Sequence, residues 1–211
     1  MRRVIIHDAY KKSKYENDIA VIILSAPFNL TDRLLARICL PSANSGSNYP
    51  SFRTTAIAIG WGQTEFNSSL SNDLKQVVLK VMKESSGYCP LVISDKKVQI
   101  CATASNKGKF FSMQKVQNFY ILFCIDTCGG DSGGPLMQFI KSKKRWELID
   151  ITSSGFSRCS PPITPGVYTR VSTYHDFIKQ ILHDTRTQRN GTNTASVLSS
   201  KQKTSDDVRQ V

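Results

Sequence analysis

From Val4 to Val171 the chain is a series of short β-rich runs divided by Gly, Pro, Asn, Asp and Ser, and this grain limits the fold more than any other feature. The runs are Ile19–Leu24, Thr54–Ile59, Gln76–Val81, Leu136–Ile140, Trp146–Thr152 and Gly166–Val171. Their length and spacing predict an all-β barrel or sandwich. A helix is expected only over Ser172–Leu182, where Ser172 caps apolar Tyr174, Phe177, Ile178, Ile181 and Leu182 at helical spacing. Residues 184–211 are nearly devoid of apolar side chains and cannot offset the entropy of ordering, so a disordered tail is predicted there.

The bulk composition of the 211 residues, 40% hydrophobic and 21% charged, is that of a globular protein with one or two cores. No apolar run reaches the length of a membrane span, and no signal peptide opens the chain. The net charge of +12 comes from Lys and Arg scattered along the whole sequence, without a nucleic-acid motif or an aromatic platform, so no nucleic-acid partner is expected. Six cysteines, at 39, 89, 101, 124, 128 and 159, show neither paired CxxC spacing nor a companion His cluster. Disulfides are expected, with no metal and no cofactor. Three Asn-X-Ser/Thr triplets, at Asn29, Asn67 and Asn190, are compatible with passage through a secretory pathway.

The densest chemical signal is Asp126-Thr127-Cys128-Gly129-Gly130-Asp131-Ser132-Gly133-Gly134-Pro135, which sets four glycines and two acids around one serine. A serine that attacks a carbonyl needs its Oγ exposed on a tight turn, with backbone N–H groups aimed at the oxygen that becomes negative. Glycines permit such a backbone. A Gly-rich hairpin with an incidental serine is the plainer reading of the segment in isolation.

The segment Gly130-Asp131-Ser132-Gly133-Gly134-Pro135 resembles the nucleophile signature of the trypsin and chymotrypsin-like serine endopeptidases, and the resemblance runs from about Val4 to Leu182. Asn17-Asp18-Ile19-Ala20 is similar to the family's Asn-Asp-Ile-Ala, Gly60-Trp61-Gly62 to its Gly-Trp-Gly, and Gly166-Val167-Tyr168-Thr169-Arg170-Val171 to its last strand. The resemblance implies a double β-barrel with a C-terminal helix, the second barrel complete and the first truncated. It implies residues 1–45 as the remnant of the first barrel and its connection, and 46–183 as the second barrel with the helix. It makes Ser132 the nucleophile, Asp18 the residue that orients a catalytic histidine, and the N–H groups of Gly130 and Ser132 the oxyanion site. It puts Asp126, six positions before the nucleophile, at the floor of a pocket walled by Gly155 and Gly166, with Ser153 beside Asp18. A carboxylate there implies cleavage of protein substrates after Lys or Arg. The cysteines sort by the same comparison into Cys89–Cys101 and Cys128–Cys159, while Cys39 resembles the cysteine that tethers an upstream light chain or propeptide. A further bridge of the family falls on Gln76 and Gln138, and Ser154 stands where trypsins usually have Trp.

Two departures qualify the comparison. The family's histidine belongs to an Ala-Ala-His-Cys segment upstream of the aspartate, and His7, His175 and His183 do not match it; the Ile-Val-Gly-Gly start whose amine pairs with Asp131 is also unmatched. The 211 residues alone are therefore expected to be inactive, with the oxyanion loop disordered around an unpaired Asp131. Two readings of function follow: a secreted trypsin-like endopeptidase of which this is an incomplete part, or a non-catalytic homologue that binds a partner. The second departure is the aromatic-rich segment 109–125. It reads either as a non-native insert from a retained intron, since Gly108-Lys109 and Cys124-Ile125-Asp126 admit splice-site codons, or as a real surface-loop insertion.

Overall fold

The computed structural model describes residues 2–46, 48–64, 68–104, 114–116, 119–121, 126–155 and 164–187. The chain forms two compact units, residues 1–174 and 175–211.

In the first unit, β1 (Arg3–Ile6) and β2 (Ala20–Ile23) make a two-stranded antiparallel sheet in which Arg3 faces Ile23 and Ile6 faces Ala20. Six further strands close into an antiparallel barrel: β3 (Thr55–Gly60), β4 (Lys75–Val81), β5 (Gln99–Ala104), β8 (Pro135–Ile140), β9 (Arg145–Ser154) and β10 (Gly166–Arg170). Their order around the barrel is β10-β5-β4-β3-β8-β9, so every strand has two neighbours and no edge is left open. Side chains alternate along β3, where Ala56 and Ala58 turn inward, and along β4, where Leu79 and Val81 do. These four meet Ile100, Ala102, Leu136, Ile149 and Tyr168 in one core. Each large side chain buried there contributes about 1.5–3 kcal/mol.

Strand β5 is absent from the expected runs, and its burial explains why. Five of the six residues of Gln-Ile-Cys-Ala-Thr-Ala are buried, so no polar alternation marks it. Between β5 and β8 lies the segment read as an insert. It contributes a small hairpin of β6 (Gln114–Val116) and β7 (Phe119–Ile121), with Gln114 opposite Ile121. The remainder of 105–125, Cys124 included, lies outside the described residues.

A four-residue helix, α1 (Cys89–Val92), starts at the cysteine that bridges to Cys101 on β5. The bridge closes a sequence separation of 12 residues. Closing a loop of that size on the unfolded chain is worth about 3 kcal/mol. Replacing both cysteines with Ser should lower the unfolding free energy by about that amount, read from the denaturant midpoint and slope together because the freed unfolded chain exposes more surface. An unmoved midpoint would count against a stabilising role for the bridge.

The helix expected over 172–182 is displaced toward the C-terminus. Val171–Tyr174 form a 3-10 turn, and the α-helix, α2, occupies 175–187. Its last turn enters the polar region predicted as disordered tail. Thr185 Oγ1 donates to the carbonyl of Ile181 at 2.7 Å and Thr187 Oγ1 to that of His183 at 3.1 Å, so the hydroxyls are satisfied within the helix itself. Extending an existing helix by a turn is cheap once it is nucleated. Residues 188–211 lie outside the described residues.

Candidate active site

Asp18 is delivered by the loop between β1 and β2, which the barrel holds at several points. Asn17 adopts a left-handed conformation at φ 54°, tolerated because its short amide bonds locally, its Nδ2 donating to the carbonyl of Ala9 at 2.9 Å. Tyr174 Oη donates to Asn17 Oδ1 at 3.1 Å, and the buried Gln99 of β5 donates through Nε2 to the carbonyls of Lys14 and Tyr15, each at 3.0 Å. Asp18 itself is gripped from two strands. Ser153 Oγ of β9 donates to Oδ2 at 2.6 Å, and Thr169 Oγ1 of β10 donates to the Asp18 carbonyl at 2.9 Å. The carboxylate is thereby fixed by a short hydrogen bond to an anionic acceptor, the stronger kind.

The loop 126–134 is shaped by Asp131, whose Oδ1 accepts from the amide of Gly62 at 2.8 Å and whose Oδ2 accepts from that of Cys128 at 2.9 Å. The expectation of an unpaired Asp131 is thus not met, because two backbone amides take the place assigned to an amine. The approach is close enough to require glycine: a Cβ on Gly62 would stand 2.4 Å from the Asp131 carboxyl carbon. Gly130, at φ 98°, and Gly133, at φ 82°, make the two turns that flank Ser132. Gly133 N donates to the carbonyl of Thr152 at 2.8 Å and Gly134 accepts from Thr152 N at 2.9 Å, which ties the loop to β9. Ser132 is exposed, and among the described residues its hydroxyl makes no hydrogen bond. The amides of Gly130 and Ser132 likewise donate to no protein group among the described residues.

Asp126 is the first residue of this loop. Tyr168 Oη donates to its Oδ1 at 2.7 Å, Thr127 N to the same oxygen at 2.7 Å, and Gly166 N to Oδ2 at 3.0 Å. Burial pushes its pKa up to about 6, against the opposing pull of these three donors. Gly166 is needed as glycine, since a Cβ there would stand 2.8 Å from Tyr168 Oη and 3.2 Å from Asp126 Oδ1. Asp126, Thr127 and Asp131 share a cavity of about 200 Å³ with Gly60, Gly62 and Gln76. Ser154 and Gly155 line a separate groove of about 410 Å³ with Lys14, Tyr15, Ile93 and Val167. Ser154 brings no aromatic ring of its own to that groove, and Tyr15 is the aromatic residue that lines it.

The structure therefore joins Asp18 to Ser153, and Asp126 to Gly166. It sets Gly130 and Ser132 on the adjoining loop and leaves Gly155 exposed at the groove. Cys128 is disulfide-bonded, and Cys159, its expected partner, lies outside the described residues. Cys39 is a free, half-buried cysteine whose backbone pairs with Trp146 and Leu148 beside β9. Gln76 and Gln138 stand on β4 and β8, and Gln138 Oε1 is buried without a hydrogen bond. Sequence reasoning passes over Tyr168 and the Gly62 amide. Tyr168 was legible, because it follows Gly166 by two residues on one strand and so shares its face. The Gly62 contact joins the end of β3 to the loop that enters its neighbour β8, 69 residues on, and left no local trace.

Comparison with known proteins bears on this geometry. The trypsin family profile matches residues 1–178. The chain is 35% identical over 187 residues to CLIP domain-containing serine protease B4 of Anopheles gambiae, a match covering 87% of this chain and 46% of that protein. It is 30% identical over 176 residues to transmembrane protease serine 11G of Mus musculus and, equally, to that of Rattus norvegicus, covering 83% of this chain and 37% of each relative. The chain thus spans less than half the length of these relatives. No helix among the described residues is long and apolar enough to cross a membrane. With a closed six-strand barrel, a serine on a glycine-flanked turn and a family match over most of its length, the chain belongs to the trypsin family of serine proteases.

Proposed function

We propose that this chain is the part of a secreted endopeptidase that carries the nucleophile and the specificity pocket, and that the enzyme cleaves proteins after Lys or Arg. The observation that carries this reading is the buried Asp126 carboxylate, oriented by Tyr168, Thr127 and Gly166. A substrate guanidinium or ammonium entering there gains a partner whose own hydrogen bonds are already in place, so little reorganisation is required. Ser132 Oγ attacks the scissile carbonyl and the Gly130 and Ser132 amides receive the developing oxyanion. Asp18, held by Ser153, orients a histidine that takes the serine proton. In this reading the histidine lies outside the 211 residues, so the chain alone hydrolyses nothing. Cys39 tethers an upstream light chain or propeptide.

Cleavage-site mapping tests the specificity. The complete, activated protein is incubated with a mixture of unfolded proteins and the new termini are sequenced by mass spectrometry. Lys or Arg should precede nearly every cut. Cuts distributed without regard to a basic residue would overturn the pocket assignment, and the absence of any cut would overturn the enzyme.

A further inference from the structure

The secretory route proposed above exposes a protein to oligosaccharide transfer at Asn-X-Ser/Thr, which makes such a triplet a chemical site rather than a pattern. Of the three triplets, Asn67 and Asn190 lie outside the described residues. Asn29-Leu30-Thr31 is described, on the surface connection between β2 and β3, and Leu30 and Asp32 leave it free of the proline that would bar transfer.

Its geometry separates the reactive atom from the atoms the fold uses. Asn29 Oδ1 accepts from Thr31 N at 3.1 Å and from Thr31 Oγ1 at 2.8 Å, while the Asn29 carbonyl accepts from Asp32 N at 3.2 Å to close a turn. The turn continues through Asp32, whose Oδ1 accepts from Leu34 N at 2.9 Å. Asn29 Nδ2 makes no hydrogen bond among the described residues, and the residue is exposed. Hydrogen bonds to Oδ1 draw electron density toward the oxygen and make the Nδ2 protons easier to remove. The same turn run carries Phe28, 61% exposed, and Leu34, 91% exposed, with Leu30 also open to water.

We propose that Asn29 is an N-glycosylation site. The donor is a lipid-pyrophosphate-linked oligosaccharide. Asn29 Nδ2 forms a bond to C1 of the first sugar, the bond from C1 to the phosphate oxygen breaks, the lipid pyrophosphate leaves, and the proton lost from Nδ2 passes to a base on the transferase. No oxidant or reductant takes part. The attached glycan stands over Phe28, Leu30 and Leu34, on a connection that contributes no residue to the site around Asp18, Ser132 and Asp126. This assignment rests on the secretory reading, and its test separates the two.

The full-length protein is expressed in a secreting eukaryotic host and treated with peptide N-glycosidase in heavy-oxygen water, which converts a glycosylated Asn to labelled Asp. The peptide containing Asn29 should be recovered from the medium chiefly in the labelled form. Asn29→Gln and Thr31→Val should each remove that label and one glycan's mass from the intact protein, whereas Thr31→Ser should keep both. Secreted protein with the Cys89–Cys101 bridge formed and Asn29 unlabelled overturns the glycan and leaves secretion standing. Protein retained in the cell with none of its triplets labelled overturns both.

Discussion

Replacing Ser132 with Ala in the complete, activated protein should lower kcat for an arginine substrate by about a million-fold while changing KM little. The asymmetry follows from the architecture. Ser132 lies between two turns set by Gly130 and Gly133, and the loop is fixed by Asp131 to Gly62 and Cys128 and by Gly133 and Gly134 to Thr152, none of which involves the serine side chain. Removing one oxygen therefore leaves the loop, the two amides and Asp126 where they were. Substrate still binds and the oxyanion site is still formed, but nothing attacks the carbonyl. The measurement is steady-state hydrolysis of an arginyl amide with active-site titration, and a residual rate within tenfold of the parent would refute Ser132 as the nucleophile. The same experiment decides between an enzyme and a binding homologue, since a protein that works by binding alone loses no hydrolysis on this change.

How far the sequence could be read depended on whether a residue's role is local. The strands β3, β4, β8, β9 and β10 were visible because alternation or an apolar run is written into consecutive residues, as in Ala56 and Ala58. The residues grouped by resemblance were likewise visible one motif at a time. Their meeting was not, for Ser153 and Asp18 are 135 residues apart and are joined only where the loop between β1 and β2 docks on the barrel. Local composition also misleads where tertiary contacts win. Asp150 should be a surface residue, yet it is fully buried on β9 opposite Leu136 and Arg170, with neither carboxylate oxygen hydrogen-bonded among the described residues. Burial pushes its pKa well up, and Arg170, 1% exposed, pulls the other way. A carboxyl group in that setting is tolerated by carrying its proton or by the nearby guanidinium, and neither device can be read from the sequence Leu-Ile-Asp-Ile-Thr.

Substituting Asp126 with Ser should cut kcat/KM for arginine substrates by about two to three and a half powers of ten. Leaving a buried cation without its partner costs about 3–5 kcal/mol, and each 1.4 kcal/mol is tenfold. Serine fits the space without a clash, and Tyr168, Thr127 and Gly166 lose only an acceptor. Hydrolysis after an apolar residue should not fall, because no charge on that substrate looked for the carboxylate. The pH dependence gives a second readout. The Asp126 pKa is raised from its ordinary 3.8 to about 6 by burial, so the folded protein holds this proton more tightly than the unfolded chain does. Its contribution to stability is accordingly complete below the unfolded pKa and is lost as pH rises toward about 6, at up to about 1.4 kcal/mol per pH unit. In Asp126→Ser that part of the decline should vanish, while the part with the same sign due to Asp150 should remain. Cleavage after Arg follows the opposite course, since it needs the ionised carboxylate and should fall as pH drops through about 6 in the parent enzyme. Denaturant midpoints and kcat/KM measured across this range in both proteins settle the assignment: undiminished arginine cleavage in Asp126→Ser would show that this carboxylate is not the specificity residue, and an unchanged slope of stability with pH would show that it is not a buried acid.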